Sequence, residues 1–336
     1  MDIEARPLNL KLAVPFRISR GVQNISENVI VQVTHNDIVG LGEASPAEYY
    51  GESPGTVLAC MAQFAESLGD DPFLSEDIFE RLDSIIGLNP AAKAAIDMAL
   101  YDIMGKMLGV PVYKLLGLNP AHAAHTSFTL GIDTPANMAR KAQLAKDYPI
   151  LKVKVGTKND IAMLKAIREV SDATIRVDAN AGWTPKEAIK NINELAPYNI
   201  EFVEQPIPAH DLAGLKLIRD NVPLPIIADE SCITVDDIPR VAECVDGINI
   251  KLMKCGGIRH ALKMIHVARA HNLRVMIGCM IESSLSITAA AHLTPLVDYA
   301  DLDGHLLIND DPYVGVTVRE GKLILPDGPG LGVKAR

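Results

Sequence analysis

Several features that would place a protein in a common class are missing from this sequence. It has only five cysteines, Cys60, Cys232, Cys244, Cys255 and Cys279, and they form neither a CxxC pair nor a tandem metal-ligand spacing. We therefore expect reduced thiols rather than a disulfide framework or a cysteine-based metal site. Its 32 Lys and Arg are scattered without a run among 42 Asp and Glu, for a net charge of −10. This balance argues against a nucleic-acid partner.

The sequence also lacks long hydrophobic runs. No stretch approaches the roughly eighteen consecutive apolar residues of a membrane span, and the first six residues lack the basic start and apolar run of a signal peptide. We predict a soluble, cytoplasmic protein with no membrane partner. At 336 residues and 48% hydrophobic, the chain exceeds the usual size of one compact domain, so we expect two domains.

What the chain does contain, from about residue 125 onward, is an alternation of short β-branched runs and amphipathic stretches. Eight runs are predicted strands, at 127–131, 150–155, 174–178, 200–204, 225–229, 247–251, 273–278 and 299–303. Eight consecutive βα units favour closure into a TIM-type barrel over an open doubly wound sheet. Residues 116–304 are therefore predicted to form an α/β domain, a (β/α) barrel.

Residues 1–115 do not follow this rhythm and are predicted to form an α+β domain. Residues 29–33 and 39–43 are expected to pair as an antiparallel hairpin, and three helical stretches follow them. Residues 305–336 return to strand-like sequence, and we expect this tail to pack back on the first domain.

Five charged residues each end a β-branched run: Lys154, Asp178, Glu204, Asp229 and Lys251, at intervals of 24, 26, 25 and 22 residues. In a closed barrel the strand ends converge on one face, so these side chains would surround one cavity. The three acids are hard oxygen ligands that suit Mg²⁺, and no histidine or cysteine holds an equivalent position to favour zinc. For any one acid alone, a structural ion pair would be the commoner explanation.

The lysines predict acid–base chemistry. Lys152 and Lys154 lie two apart in a strand, so both point to the same side, which in this strand must be the barrel interior. Mutual repulsion and burial should lower their pKa, and a lysine near neutrality can act as a general base. Lys251 arrives four strands later and should face Lys154, so that a substrate carbon between them would exchange its proton on either face. The alternative is that these lysines only balance the charge of the acids.

Neighbouring polar residues are given supporting roles. Asn180 lies two residues after Asp178, and Glu230 follows Asp229 directly. We expect both to orient a ligand or a lysine. Lys254, in the loop that follows the last predicted strand-end lysine, is expected to be solvated at the surface.

The stretches around these residues are LKVKVG at 151–156, VDAN at 177–180, VEQP at 203–206, IADES at 227–231 and NIKLMKCGG at 249–257. Together they resemble the enolase superfamily in its muconate-lactonizing subgroup, over essentially the whole chain. The resemblance implies a capping α+β domain over a barrel, with one Mg²⁺ per subunit that binds a substrate carboxylate and stabilises an enolate. It also implies that Lys154 and Lys251 are the two bases.

The eighth strand narrows the expected reaction. Asp301 and Asp303 resemble the DxD motif of dipeptide epimerases, whose acids hold the free ammonium of the substrate. Two carboxylates on one face would attract an ammonium and repel an anionic substrate. The resemblance thus implies an isomerase that epimerises L-Ala-Xaa dipeptides, with L-Ala-D/L-Glu preferred and with Lys152 and Arg20 as further substrate-binding residues. Recycling of cell-wall peptides would follow from that substrate.

Alternatives remain open at this point. In one branch of Ala-Glu epimerases an arginine selects glutamate. The position of this chain that corresponds to that arginine holds Gly21, and Arg20 lies beside it. N-acylamino-acid racemase and o-succinylbenzoate synthase are alternative activities of the same superfamily. From a different class, the chain would be a non-catalytic metabolite-binding barrel whose acids and lysines form an ion-pair network. A homo-oligomer is allowed by analogy with relatives.

Overall fold

A computed structural model of the chain describes residues 1–336. An antiparallel sheet with its helices comes first, an eight-stranded parallel sheet follows, and a tail of short strands completes the chain. One cluster of 81 buried apolar residues runs through all three parts. The parts therefore share a continuous core rather than being joined by linkers.

The capping domain is built on a three-stranded antiparallel sheet in the order β1-β2-β3. The predicted hairpin and the three helical stretches are confirmed, and a short fourth helix follows them. The long first strand was not predicted, because it is an edge strand interrupted by Pro7 and Pro15, and proline is tolerated at sheet edges. The elements are β1 (Asp2–Ile18), β2 (Gly21–His35), β3 (Ile38–Ala44), α1 (Pro54–Phe64), α2 (Ser75–Ile85), α3 (Pro90–Leu108) and α4 (Val112–Leu115).

Eight parallel strands then form the predicted barrel, each beside its neighbour in chain order. The amide of Ser127 donates to the carbonyl of Ala300 at 3.2 Å, which joins the last strand to the start of the first. The predicted strands are confirmed, with several ends one or two residues shorter. They are β4 (Phe128–Leu130), β5 (Ile150–Lys154), β6 (Thr174–Asp178), β7 (Ile200–Glu204), β8 (Ile226–Ala228), β9 (Gly247–Lys251), β10 (Arg274–Gly278) and β11 (Tyr299–Asp301).

Helices follow the first seven strands, and α7 begins with the reciprocal capping box of Thr184 and Glu187. The prediction of eight complete βα units is wrong at the last one, because only a 3-10 turn, Gly304–Leu306, follows β11 before the chain leaves as the tail. The barrel helices are α5 (Pro135–Leu144), α6 (Asp160–Arg168), α7 (Pro185–Leu195), α8 (Leu212–Asn221), α9 (Ile238–Val241), α10 (Leu252–Cys255), α11 (Ile258–Ala270) and α12 (Ser284–Ala291).

The tail contacts the capping domain through polar groups. The amide of Leu331 donates to Asp102 of α3 at 2.8 Å, and the hydroxyl of Tyr113 donates to Asp327 at 3.0 Å. Its strands are β12 (Tyr313–Val314), paired with β15 (Lys334–Ala335), and β13 (Thr317–Arg319), paired with β14 (Lys322–Ile324). None of the helices has the length and apolar character needed to cross a membrane.

Candidate active site

The register of the parallel strands places the predicted site residues at one level of the barrel. Lys154 of β5 is paired with Asp178 of β6, and Asp178 is paired with Glu204 of β7. On the other side, Lys251 of β9 is level with Gly278, which is level with Asp301 of β11. All of these residues therefore meet at the carboxyl ends of the strands, where barrel enzymes carry their chemistry.

A cavity of about 560 Å³ opens at this level, between the barrel mouth and the capping domain. Lys154 and Lys251 both line it, and β5 and β9 lie four strands apart in the eight-stranded barrel. The two predicted bases therefore approach one space from opposite sides. Other lining residues are Lys152, Asn180, Asp301 and Asp303 from the barrel and Phe16, Ile18, Arg20, Val22, Ile25 and Tyr49 from the capping domain.

Three predicted metal ligands lie below the cavity and are almost fully buried: Asp178, Glu204 and Asp229 are at most 1% exposed. Two of them pair with the lysines that line the cavity. The ammonium of Lys154 is 2.6 Å from Oδ2 of Asp178, and that of Lys251 is 2.7 Å from Oδ2 of Asp229. Each candidate base is thus paired with a candidate metal ligand.

Lys152 lies at the centre of this charge network. Its ammonium is 3.0 Å from Asp178, 2.7 Å from Glu204 and 2.6 Å from Asp301. Burial lowers the pKa of Lys152, but these three carboxylates outweigh burial and raise the pKa well above its ordinary value. The lysine therefore stays charged and holds three acids together.

The prediction that repulsion between lysines lowers their pKa is wrong for Lys152, and Lys251 shows the same effect. Burial lowers the pKa of Lys251, but the charges of Asp229 and Glu204 reverse the shift, and the net pKa is raised. The physical reason is that each ammonium touches a carboxylate more closely than another ammonium, so attraction exceeds repulsion.

The three acids are not equally compensated. Burial raises the pKa of Asp178, but Lys154 and Lys152 lower it to a net value below the ordinary range. Burial also raises the pKa of Asp229, but Lys251 and Lys254 more than offset burial, and the net pKa lies well below the ordinary range. In contrast, burial and the charge of Asp178 raise the pKa of Glu204 to about 7. The place that most needs additional positive charge is therefore beside Glu204.

The residues present fit a divalent cation by their chemistry. Three carboxylates at the ends of adjacent strands supply hard oxygen atoms; Oε1 of Glu204 accepts a hydrogen bond from Asn249 at 2.7 Å, and its buried Oε2 lies 2.7 Å from the ammonium of Lys152. As the side chains stand, no three acidic, histidine or cysteine groups converge at metal-binding distances. Instead, the ammonium of Lys152 lies between Asp178 and Glu204.

Lys254 is not at the surface, and that prediction is wrong. It is 1% exposed, and its ammonium donates to Oδ1 of Asp229 at 2.7 Å and to the carbonyls of Asp229, Cys232 and Asn249. The residue lies in α10, which folds back beneath β9, so the loop that suggested solvent is a buried turn. It fixes Asp229 from below while Lys251 contacts it from the cavity.

The two residues assigned supporting roles lie against the predicted ligands. Asn180 adopts a left-handed backbone conformation, with φ of 45°, and its backbone amide donates to Oδ1 of Asp178 at 2.9 Å. Glu230 is 3% exposed and accepts from Arg20 at 2.6 Å. Two further residues were missed: Oε1 of Gln205 accepts from the backbone amides of Asp229 and Ser231, and the side chain of Asn249 donates to Glu204. Gln205 and Asn249 carry no charge, so only their places beside strand-end acids could have singled them out.

Arg20 reaches from the capping domain to the barrel. Its guanidinium donates to Glu230 and to the carbonyl of Asn180 at 3.0 Å, and it stacks on the ring of Tyr49 at 4.5 Å. The side chain remains 35% exposed and lines the cavity. One face of this cation is therefore neutralised by Glu230, and the rest is accessible.

The two acids of the eighth strand differ in their partners. Asp301 accepts from Lys152 and from the hydroxyl of Ser127 at 2.7 Å. Asp303 accepts from the backbone amide of Thr129 at 2.6 Å and forms no salt bridge. Burial and the charge of Asp301 raise the pKa of Asp303 to about 7. Asp303 is thus the cavity acid best placed to receive a cationic group.

A (β/α) barrel under an α+β cap, with acids and lysines at its strand ends, defines a protein of the enolase-superfamily fold. The chain belongs to the mandelate racemase/muconate lactonizing enzyme family: residues 2–117 match the N-terminal domain of that family, and residues 136–336 match the enolase C-terminal domain-like family. The predicted fold class is therefore confirmed.

Named relatives cover nearly the whole chain. The L-Ala-D/L-Glu epimerase of Bacteroides thetaiotaomicron is 43% identical over 97% of this chain and 86% of its own length. The hydrophobic dipeptide epimerase of Enterococcus faecalis is 42% identical over 99% of this chain and 98% of its own length. A solved dipeptide epimerase from Enterococcus faecalis V583, in complex with Mg and L-Leu-L-Tyr, has a TM-score of 0.94 at 41% identity and covers 99% of both chains.

Proposed function

We propose that this protein is a Mg²⁺-dependent dipeptide epimerase that moves a proton at the α-carbon of the C-terminal residue of L-Ala-Xaa dipeptides. The observation that carries the proposal is the placement of Lys154 and Lys251 on opposite sides of one cavity, above buried carboxylates. Support comes from relatives that are named dipeptide epimerases and from a relative solved with Mg and a dipeptide.

The residues divide the work by position. One lysine, Lys154 or Lys251, takes the α-proton from one face of the substrate, and the other returns a proton to the opposite face. Asp303, assisted by Asp301, holds the substrate ammonium by a charge-assisted hydrogen bond. Lys152 keeps the buried acids in place and adds positive charge beside the substrate carboxylate.

Mg²⁺ would be held by Asp178, Glu204 and Asp229. When bound, it would stabilise the negative charge that develops on the substrate carboxylate. Asn180, Gln205, Glu230 and Asn249 would keep the ligands and their neighbours oriented through the hydrogen bonds described above.

Deuterium exchange in heavy water tests the two-base assignment. The wild-type protein with Mg²⁺ should exchange the α-proton of both stereoisomers of a dipeptide substrate and interconvert them. Lys154→Ala and Lys251→Ala should each abolish epimerisation, and each should retain exchange from one stereoisomer only, because the other base still works on its own face. Mass spectrometry and NMR measure both quantities.

Three outcomes would contradict the proposal. Turnover in both lysine variants would remove the two-base mechanism. Faster exchange of an N-acylated amino acid than of every dipeptide would favour an N-acylamino-acid racemase. No Mg²⁺-dependent exchange from any member of an L-Ala-L-Xaa library would leave the ion-pair network of a non-catalytic barrel.

For the substrate side chain we propose glutamate, giving L-Ala-D/L-Glu as the preferred pair. Arg20 is the capping-domain cation that lines the cavity, and its exposed face would pair with the glutamate carboxylate. A specific observation favours a second candidate, an apolar side chain, because Glu230 already neutralises Arg20 and because Ile18, Val22 and Ile25 line the same wall.

Arg20→Met separates these two substrates. If Arg20 binds the glutamate side chain, kcat/KM for L-Ala-L-Glu should fall about 10- to 100-fold, the value of one charged hydrogen bond, while L-Ala-L-Leu changes much less. Arg17→Met is the matched control, since Arg17 lies near the end of β1, three residues before Arg20, but does not line the cavity. Equal losses for both dipeptides would show that Arg20 only joins the capping domain to the barrel.

If glutamate is preferred, we also propose a cytoplasmic role in recycling cell-wall peptides. Two points support this role. The Bacteroides thetaiotaomicron relative is named an L-Ala-D/L-Glu epimerase, and Asp303 would bind the free ammonium group of such a dipeptide. Growth of a deletion strain on L-Ala-L-Glu or L-Ala-D-Glu as sole nitrogen source would test this role.

A further inference from the structure

An aspartate of the capping domain lies at the start of the barrel helix that follows Lys251. Asp97 is in the middle of the alanine-rich helix α3, is fully buried, and accepts a hydrogen bond at Oδ2 from the amide of Arg259 at 3.1 Å. Its other oxygen, Oδ1, has no partner. A buried carboxylate in a helix interior is unfavourable unless another group stabilises it, so its placement needs an explanation.

That explanation is the N-terminus of α11. This helix has Gly257 at its N-cap position, and glycine has no side chain to accept from the first free amides. Asp97, in the capping domain, replaces the missing cap by accepting from the amide of Arg259 in the first turn of the helix. Gly257 is required, because a Cβ at that position would overlap the carboxylate of Asp97.

The capped segment carries a candidate base. Five residues lie between Lys251 and Gly257, and the amides of Gly256 and Gly257 both donate to the carbonyl of Leu252 at 3.0 Å. The segment is therefore a closed turn that is held by β9 at one end and by Asp97 at the other. A second contact with the capping domain lies within it, since the amide of Ser45 approaches Sδ of Met253 at 3.1 Å.

Helix α2 of the capping domain also contacts α11, through side chains in the first turns of α11. The guanidinium of Arg259 is 2.5 Å from Glu76 and stacks on the ring of Phe79 at 4.6 Å, and Lys263 is 2.9 Å from Glu76. Two capping-domain helices thus fix the start of α11.

The turn after Lys154 is held differently. The amides of Gly156 and Thr157 donate to Asp160 at 3.0 and 2.9 Å, and Asp160 belongs to the barrel helix α6. The indole of Trp183, also in the barrel, donates to the same carboxylate at 3.2 Å. The turn after Lys154 is therefore fixed by a carboxylate of the barrel, whereas the segment after Lys251, which Lys254 anchors within the barrel, also has a carboxylate of the capping domain at its end.

We infer that Asp97 is a positioning residue for Lys251, so that the capping domain controls one of the two proton-transfer steps as well as covering the substrate. This inference depends on the proposed function. It requires that a change at Asp97 affect the stereoisomer deprotonated by Lys251 and spare the one deprotonated by Lys154.

Isomer-resolved deuterium exchange with L-Ala-L-Xaa and L-Ala-D-Xaa tests this asymmetry. Lys154→Ala and Lys251→Ala first identify which stereoisomer each lysine deprotonates. Asp97→Ala should then slow exchange from the Lys251 stereoisomer at least tenfold and leave the other within twofold. Asp97→Asn, which keeps an acceptor oxygen for the amide of Arg259, should restore most of the lost exchange.

Asp102→Asn is the matched control. Asp102 is buried in the same helix, but it accepts from Leu41, Leu331 and Lys106 and has no contact with the turn after Lys251. Its substitution should lower thermal stability and change both exchange rates by the same factor. If Asp97→Ala does not fold, Asp97→Ser replaces it, because the serine hydroxyl is one bond too short to reach the amide of Arg259.

Equal slowing of both stereoisomers by the Asp97 variants, or no slowing of either, would overturn the inference. Failure of the proposed function looks different, since the wild-type protein itself would then exchange neither stereoisomer.

Discussion

At the residue scale, the site depends on which lysines are in contact with which acids. Lys152, Lys154, Lys251 and Lys254 are all at most 8% exposed. Three of them face the cavity, whereas Lys254 is saturated by Asp229 and backbone carbonyls and faces no free space. A buried ammonium needs such complete pairing, so Lys254 is a structural cation, whereas Lys154 and Lys251 each pair with one carboxylate and line the cavity.

Replacement of Lys254 tests this distinction. Lys254→Met removes one partner of a buried pair and leaves three carbonyls and a carboxylate oxygen without their donor. We expect the free energy of unfolding to fall by about 3–5 kcal/mol, measured by urea denaturation. Lys190→Met, in the exposed pair with Glu194, should cost less than about 0.5 kcal/mol. A loss for Lys254→Met as small as that of the surface control would show that its contacts contribute little.

At the element scale, the capping domain depends on close contact between β3 and α3. Gly40 and Gly42 point to the same side of β3, and a Cβ at either would overlap the carbonyl of Ala99 or Ala95 in α3. The alanine-rich sequence of α3 serves the same purpose from the other side, since small side chains let the backbones approach. This packing holds α3 in the position from which Asp97 reaches the barrel.

Gly42→Ala should therefore push the helix away from the sheet. We expect a loss of about 1–3 kcal/mol in the free energy of unfolding, the usual effect of overpacking, because the obstructing atoms belong to the backbone and cannot rotate away. Gly87→Ala provides the control, since a Cβ there would meet nothing within 4 Å. Similar stabilities of the two variants in urea would argue against close packing as the reason for Gly42.

At the scale of the whole molecule, His292 joins three parts of the chain. It follows the last residue of α12 in the barrel, and its Nδ1 accepts from the amide of Tyr113 in α4 at 3.3 Å. Its Nε2, at 3.2 Å from the carbonyl of Leu331, then donates to the tail. The ring is fully buried, and burial lowers the pKa of His292 to about 4.

This shift predicts a loss of stability in acid. The folded pKa lies below the unfolded value of about 6.5, so the unfolded chain binds the proton first as the pH falls. The contribution of His292 is fully present above about pH 6.5 and decreases between about pH 6.5 and 4, by up to about 1.4 kcal/mol per pH unit. His292→Gln cannot titrate, so from pH 6.5 to 5 the stability difference should move in favour of the variant by about 1–2 kcal/mol.

Urea denaturation of both proteins across this pH range measures the difference. His266→Gln, at an exposed site on α11, should show no such trend relative to the wild type. A stability gap between wild type and His292→Gln that does not change with pH would contradict the neutral, buried state of the histidine.

Sequence alone sufficed to predict the barrel and the level at which its charged residues meet. Strand–helix alternation is a local pattern, and a charged residue at the end of each buried strand marks one face wherever the strands close into a barrel. For the same reason, the predicted bases and the three acids could be singled out before any contact was known.

Only the tertiary structure decided how those charges pair and what supports them. The burial of Lys254, the raised pKa of Lys152 and the contact of Asp97 with Arg259 all depend on residues that are distant in sequence. Electrostatic shifts fall steeply with distance and grow with burial, and neither quantity is encoded in local spacing. The sequence therefore determined which groups are available, and the fold determined their partners.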